Sequence, residues 1–566
     1  MTSLTRCVIG GTYIKKPFIA WIRPVPSCRP PVSVMPQLSE MHIIDNAQLI
    51  LGAGACFGVF VLGMSAYYLR KSDSGLPLPP SPPTSRLRGH FLPPHKYSCT
   101  FHSLFGNADY VPSLISPFLT VEKWIDEYGP LITIRSGTEK IVIIGRHNAA
   151  VDIMEKQGGS VADRPRLIAA GEILDGGLSI TFAHVGSRLR QMRRALHTHL
   201  QPKAAVEYEP LQTSHAKNTV LDILENPVNF QNHAGTYAAT TIMKIAYGKA
   251  TPTSATDPEV IQARRHLRIF RIARRPGTYL VDTIPWLRYL PWYGQELKRE
   301  FKRQNQLYTD QLNRVKQQIG SNVDAGPSFA KYALENVKFL GLTEMEIASL
   351  AGTFFTAGSD TTALAICTVL MAAACFPEEQ AKVQAEIDVV VGRNRVPTFA
   401  DDKSLPRLHA FISEALRWRP LIPGGLAHRT TQEVIWGSYC VPAGTTVFGD
   451  HWSISRDPDV FPEPHSFMPQ RWINDQGRIR DDLKFFVFGF GRRVCPAQHL
   501  AERSVFINSL LILWAFHLAL DPTKPLDDMM FMRGEMGKPH RCAIEFETRV
   551  PETELRRMMQ NFPEVA

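Results

Sequence analysis

Paired CxxC cysteines, zinc-type cysteine spacings and a nucleotide-binding glycine loop are all missing from this sequence. Its nine cysteines, Cys7, Cys28, Cys56, Cys99, Cys367, Cys375, Cys440, Cys495 and Cys542, are scattered at intervals that suit neither a structural metal site nor a disulfide framework. Their odd number and scatter predict reduced thiols on a cytosolic face. Gly52-x-Gly54 comes nearest to a dinucleotide loop, but it sits inside an apolar run with no strand before it, where small residues packing in a membrane account for it. With no flavin or nicotinamide site in view, redox chemistry here would draw its electrons from another protein.

Charge is missing in two places. No acidic residue precedes Glu40, and no charged residue of either sign falls between Ala47 and Leu69. About 20 such residues cross a bilayer as a helix, so 47–69 is expected to be a single transmembrane anchor. Arg70 and Lys71 follow at once, with Arg86 and Arg88 shortly after, which places the remainder of the chain in the cytosol. Residues 1–46 form a basic extension, and a start at Met35 or Met41 is an open alternative. Residues 70–90 are a basic, proline-rich hinge, stiffened by Leu76-Pro77-Leu78-Pro79-Pro80-Ser81-Pro82-Pro83. Residues 91–566 remain, a length that by itself suggests a few domains. The net charge of +10 does not indicate nucleic acid. Its basic residues sit beside apolar and aromatic ones, as in Arg264–Arg275 followed by Trp286, Tyr289, Trp292 and Tyr293, a pattern suited to a membrane interface.

What the sequence does have is mostly helical periodicity with a small β component. Residues 131–145 alternate like a hairpin that turns near Ser136-Gly137. Thr343-x-x-Glu346 is a capping box opening a long apolar helix that stops before Pro377. Midway lies Ala357-Gly358-Ser359-Asp360-Thr361-Thr362, small and polar residues that notch an otherwise apolar helix. Further on, Phe488-x-x-Gly491-x-Arg493-x-Cys495 places one cysteine in a glycine-softened, arginine-flanked turn ahead of another apolar helix. A helix start and nearby cations favour a thiolate, and an arginine fork suits a carboxylate. Such a turn presents a single sulfur to a haem iron.

These motifs, with Glu414-Ala415-Leu416-Arg417 and Phe467-x-Pro469-x-Arg471-Trp472 between them, resemble the cytochrome P450 family, in particular its membrane-bound fungal branch. The resemblance runs from about Leu76 to the C-terminus. It implies that residues 91–566 form one large catalytic domain, with a mainly α fold and a small β region, holding haem b (iron protoporphyrin IX) with Cys495 as the iron ligand in a loop shaped by Phe488 and Gly491. Arg493, Arg190, His428 and Arg429 would contact the haem propionates. Asp360 and Thr361 would deliver protons, and Glu414, Arg417 and Arg471 would form a buried charge network behind the cysteine loop. Two positions depart from the family pattern: Ala497 replaces a glycine, and Leu189 replaces a tryptophan in the Gly186-x-x-Leu189-Arg190-x-x-Arg193-Arg194 helix. The implied activity is monooxygenation of a lipophilic substrate in fungal secondary metabolism, at the endoplasmic reticulum membrane. Electrons would come from NADPH through NADPH-cytochrome P450 reductase, with cytochrome b5 as a second donor. The alternatives are a haem-thiolate isomerase or dehydratase and a non-catalytic haem-binding membrane protein. Retention of Asp360 and Thr361 argues against the first, and the basic docking face argues against the second.

Overall fold

A computed structural model describes residues 58–59, 74–83, 117–136, 139–321, 326–483, 486–524, 526 and 543–561. The chain divides into two units, Met1–Lys71 and Ser72–Ala566. In the first, only Gly58 and Val59 are described, both helical, so the anchor expected over 47–69 lies almost wholly outside the described residues.

The second unit is mainly helical with three small sheets. In chain order its principal elements begin with α1 (Pro117–Tyr128), β1 (Leu131–Ser136), β2 (Glu139–Ile144), α2 (Ser187–Leu200), α3 (Glu209–Glu225), α4 (Phe230–Tyr247), α5 (Pro258–Ala273) and α6 (Gln295–Gly320). Then come α7 (Glu344–Cys375), α8 (Pro377–Val390), α9 (Pro406–Trp418), β3 (His428–Arg429), β4 (Val434–Trp436), β5 (Tyr439–Val441) and β6 (Thr446–Gly449). The chain closes with α10 (Gln498–Ala515), β7 (Phe516–Leu520), β8 (Ile544–Thr548) and α11 (Glu552–Gln560).

α7 is the axis around which the rest packs. Thr343 caps it, its hydroxyl accepting from Glu346 N–H while Glu346 reaches back to the Thr343 N–H. Pro377 follows its end and starts α8. α7 passes the length and hydropathy test for a membrane span, yet most of it is buried in protein, so its apolar surface serves the core. One core cluster surrounds its C-terminal half, where Ile366, Val369 and Leu370 meet Phe411 of α9 and Leu510 and Leu511 of α10. A second surrounds its N-terminal half, with Phe354 and Phe355 against Met243 and Tyr247 of α4, Leu312 of α6, and Phe329. Complete burial of a side chain such as Phe355 contributes about 1.5–3 kcal/mol.

The main sheet runs β1-β2-β6-β3, antiparallel except between β2 and β6. Ser136 pairs with Glu139, as a hairpin bending at 137–138 requires, although those two residues lie outside the described set. The proline stretch is seated on this sheet and its neighbour: Thr133 N–H donates to Pro80 O at 2.7 Å, and Cys440 N–H donates to Pro77 O at 2.9 Å.

Candidate active site

The cysteine turn owes its shape to glycines where side chains would fail. Gly489 and Gly491 have φ of +83° and +47°, and a Cβ on Gly491 would lie 2.4 Å from Met154 O. Gly491 N–H donates to Glu155 Oε1 at 3.0 Å, and Cys495 N–H donates to Phe488 O at 2.9 Å, closing the loop over the start of α10. Ala497, where the family pattern has glycine, sits at φ −98° and ψ 18°, a conformation open to any residue, so the substitution carries no backbone strain. It packs in the same cluster as Phe354 and Phe355, which brings the turn beside α7. Burial pushes the Cys495 thiol up, against the Ala497 N–H and the charge of Arg193. The protein environment alone therefore does not lower this pKa, contrary to the expectation from helix dipole and arginines; a bound metal would supply the missing stabilisation of the thiolate.

On the face of α7 beside this turn, Ala357 is exposed and Gly358, Thr361 and Thr362 are partly so, although the helix is buried on both sides of them. Thr361 Oγ1 donates to Ala357 O at 2.8 Å, leaving its lone pairs free to accept. Asp360, one residue back, turns the other way. It is 5% exposed and paired with Arg271 at 3.1 Å and Arg264 at 3.8 Å, both from α5. Burial pushes its carboxyl up, against the pull of Arg271 and Arg264.

Around the turn lies a set of guanidiniums, Arg164 buried and Arg193 and Arg493 half-buried. Arg193 donates to Val494 O at 3.0 Å. Arg493 donates from Nε to Ala162 O at 2.6 Å and also to Ala183 O. Arg164 donates to Thr181 O at 3.1 Å and to Ala427 O. Burial and mutual repulsion hold Arg164 down to about 9 and Arg493 to about 10, with Asp163 the neighbouring carboxylate that opposes this. Their hydrogen bonds go to neutral carbonyls, so the cluster has positive charge to spare for an anion.

Three expected anion contacts are revised by this geometry. Arg190 is exposed: Leu189, Met192 and Leu196 form the buried stripe of α2, which puts Arg193, four residues after Leu189, on the inner face and Arg190 in solvent. The Leu189-x-x-x-Arg193 spacing carried that signal. His428 is buried, bonds Val161 O through Nδ1 at 2.9 Å, and is held down to about 3 by burial and then by Arg164. It is therefore a neutral imidazole whose Nε2 needs a proton before it can donate to a carboxylate. Arg429 points to the opposite face of β3, where it packs 3.5 Å from the position of a Cβ on Gly444. Arg164 was not anticipated from the sequence.

The α5 arginines also depart from expectation. Arg264 and Arg271 face Asp360, and Arg274 donates to Gly425 O at 3.3 Å, so half of the 264–275 basic run points inward. The exposed part of this region is aromatic: Trp286, Tyr289 and Trp292 are 60%, 77% and 68% accessible.

Behind the turn, Glu414 is wholly buried and accepts from Arg417 Nε and an Arg417 terminal nitrogen at 2.7 Å each, Arg471 Nε at 3.3 Å, Trp472 Nε1 at 2.9 Å and Met468 N–H at 2.8 Å. Arg417 also donates to Ser455, Pro464 and Ser466 carbonyls. Glu414, Arg417 and Arg471 are thus assembled as expected, with Trp472 as a further member. No cluster of three or more metal-ligating side chains occurs among the described residues. A lone cysteine, a surplus of buried and half-buried cations and a notch of small and hydroxyl-bearing residues instead fit a planar group that carries its own metal and two carboxylates, as haem does.

Residues 98–542 match the family model described as Cytochrome P450. The chain is 45% identical over 508 residues to "Cytochrome P450 monooxygenase 113" of Postia placenta, covering 89% of this chain and 98% of that protein. It is 46% identical over 477 residues to "Cytochrome P450 monooxygenase 64" of the same fungus, covering 84% and 92% respectively. It is 32% identical over 497 residues to "Cytochrome P450 monooxygenase criE" of Aspergillus cristatus, covering 86% and 87%.

Proposed function

The chain belongs to the cytochrome P450 family, and from that premise we propose that it is a membrane-anchored monooxygenase inserting one oxygen atom from O2 into a lipophilic substrate, with electrons passed from NADPH by a separate reductase. When bound, haem b supplies the iron at which O2 is activated. The residues present fit it: Cys495 would offer its sulfur to the iron, while Arg193, Arg493 and Arg164 would offer guanidiniums to the propionates. Arg190 and Arg429 drop out of that role, and His428 joins it only on taking up a proton, which a nearby anion favours.

The observation that carries the reading is the pairing of the Cys495 turn with the α7 notch. Ala357, small and exposed, keeps one side of the slot open, while Gly358 lets Ile242 of α4 lie against α7, where a Cβ would meet it at 2.7 Å. Thr361 presents a hydroxyl oxygen able to accept a hydrogen bond in the slot, since its own proton is engaged by Ala357 O. Asp360, adjacent in sequence but facing α5, holds or releases a proton according to whether burial or the arginine pair prevails. Thr361 thus faces the reacting centre and Asp360 faces the proton supply, the division of labour that oxygen activation requires.

Exposed Trp286, Tyr289 and Trp292 support contact with the membrane interface, by which an apolar substrate would enter. The uncharged 47–69 stretch supports single-pass anchoring in the endoplasmic reticulum with the catalytic unit in the cytosol. A terpenoid, polyketide or fatty-acid-like substrate of fungal secondary metabolism is in keeping with that apolar entry route. NADPH-cytochrome P450 reductase, with cytochrome b5 as a second donor, fits the exposed basic side of α2, where Arg190 and Arg194 lie.

The test is the absorption spectrum of the full-length membrane protein after dithionite and carbon monoxide. A strongly red-shifted Soret band that is lost in Cys495→Ala is the expected result. An unshifted band from folded, haem-loaded protein would overturn the reading.

A further inference from the structure

α6 and α7 run antiparallel along a tight seam. Gly352 allows the Tyr308 ring to lie against α7; a Cβ there would meet that ring at 2.0 Å. One turn on, Gln304 Nε2 donates to Thr356 Oγ1 at 3.2 Å, and the same hydroxyl shares a hydrogen bond with Tyr308 OH at 2.8 Å. Continuing this register, four residues back along α6 and four forward along α7, brings Glu300 level with Asp360. Both carboxylates are buried, at 1% and 5% exposure, and α5 covers both: Arg265 Nε bonds Glu300 Oε2 at 3.0 Å, while Arg264 and Arg271 engage Asp360.

Glu300 Oε1, Gln304 Oε1 and Arg264 Nε are buried yet make no hydrogen bond within the protein. Buried polar atoms of native proteins are satisfied almost without exception, and where protein does not do it, ordered water does. At its other oxygen Glu300 meets Arg265 and Arg303, whose side chains are 56% and 51% exposed, so this carboxylate stands between solvent and the interior.

We propose that Glu300 is the solvent-side carboxylate of a two-acid relay, passing protons from bulk water to Asp360 through ordered water held by Glu300 Oε1, Gln304 Oε1 and Arg264 Nε. Hydronium gives its proton to Glu300 Oε2, on the side of the exposed Arg265 and Arg303, and rotation of the carboxyl turns that proton toward the interior water. Glu300 gives a proton to the intervening water as that water gives one to an Asp360 oxygen, so Glu300 returns to a carboxylate and nothing is oxidised or reduced. The groups that face the pair are Arg264, Arg265, Arg268 and Arg271 from α5, Arg303 and Tyr308 from α6, and the His266–Asp175 contact beyond Tyr308. The inference rests on the reading of Asp360 as the proton-supply side of the monooxygenase site.

The experiment compares Glu300→Gln, Glu300→Asp, Asp360→Asn and the double variant E300Q/D360N in full-length, haem-loaded protein. The first readout is the infrared carboxyl band that Asp360→Asn abolishes, titrated in the resting protein. Removing the negative charge opposite Asp360 is expected to move that band's midpoint to lower pH in Glu300→Gln, with haem content unchanged. With reductase, Glu300→Gln is expected to lose about tenfold or more in coupled turnover, a part of the roughly 10²–10⁴-fold that a positioned proton donor contributes, and to gain a larger solvent isotope effect. Glu300→Asp should restore part of this, and the double variant should be no worse than Asp360→Asn. Should Glu300→Gln fail to fold, Gln304→Met, which removes a water-holding oxygen but no charge, carries the same loss of coupled turnover and the larger solvent isotope effect, with the Asp360 band left in place. An unmoved Asp360 band with turnover within about twofold of wild type would reduce Glu300 to a clamp for Arg265 and overturn the proposal. If Asp360→Asn alone turned over normally, the reading of Asp360 would fall and the relay with it. An impaired Asp360→Asn beside a silent Glu300→Gln would remove Glu300 alone.

Discussion

Replacing Glu414 by glutamine should cost this protein its haem before it costs any particular catalytic step. The glutamine matches the carboxylate in shape, but its amide NH2 would face donors that now point at an oxygen, and it brings no charge to balance Arg417, which is wholly buried. Uncompensating a buried charge pair in this way typically costs about 3–5 kcal/mol, a large share of the roughly 5–15 kcal/mol that holds a folded domain together. The strain has a path to the cysteine turn. Arg417 lies over the Phe461 ring at 5.4 Å, Phe461 meets His147 edge-on at 6.1 Å, His147 meets Phe486 at 5.3 Å, and Phe486 stacks on Phe490 of the turn at 4.4 Å. Urea unfolding and haem-to-protein stoichiometry of purified Glu414→Gln are the assays, with Glu554→Gln as control. Glu554 and Arg557 share the same i, i+3 spacing at 2.5 Å but sit on the surface, where neither assay should respond. A Glu414→Gln protein with the wild-type urea midpoint and full haem loading would refute the argument that this network supports the turn.

The other expectations concern single groups. Arg193→Ala removes the bond to Val494 O and an inward-facing cation, and should weaken haem retention measured by transfer to apomyoglobin, whereas Arg190→Ala, altering only a solvent-facing side chain, should not. Thr361→Ala should keep haem and the carbon monoxide spectrum but divert NADPH-derived electrons to peroxide or water; coupling equal to wild type would remove Thr361 from proton handling. Asp450, buried and accepting from Ser453, has its carboxyl pushed up to about 7 by burial. In the folded state it keeps a proton that the unfolded chain, at 3.8, releases, so stability is full below about pH 4 and is lost as pH rises through about 7. The shift corresponds to about 4 kcal/mol. Buried neutral His428 and His451 act in the opposite sense as pH rises toward 6.5. The test is therefore the wild-type minus Asp450→Asn difference in urea midpoint from pH 4.5 to 7.5, and a flat difference would reject the assignment.

Much of the site was legible because its signals are local. The capping box at Thr343, the small-polar notch at 357–362, the glycines of the cysteine turn and the Glu414-x-x-Arg417 pair each depend on residues within about one turn of each other, and each takes the form its pattern predicts. The choice between Arg190 and Arg193 was also within reach, since the apolar phase of α2 decides it. Trp472 was visible beside Arg471, yet nothing local shows that an indole N–H 58 residues along the chain finds Glu414. The inward turn of Arg264, Arg271 and Arg274 was illegible for the same reason: a run of arginines has one composition whether its partners are lipid headgroups or a buried Asp360.

By itself the sequence determined the family, the lone cysteine that serves it, the elements that flank that cysteine and the uncharged stretch at 47–69. Tertiary structure alone decided which arginines surround the turn, that Ala497 lies where glycine is not needed, that Asp360 faces α5 while Thr361 faces the slot, and that Glu300 stands level with Asp360. The physical reason is range. Backbone preference and capping act over a few bonds and are written in adjacent letters, whereas a buried charge takes whatever partner packing brings within hydrogen-bonding distance, and that is settled only when the helices have docked.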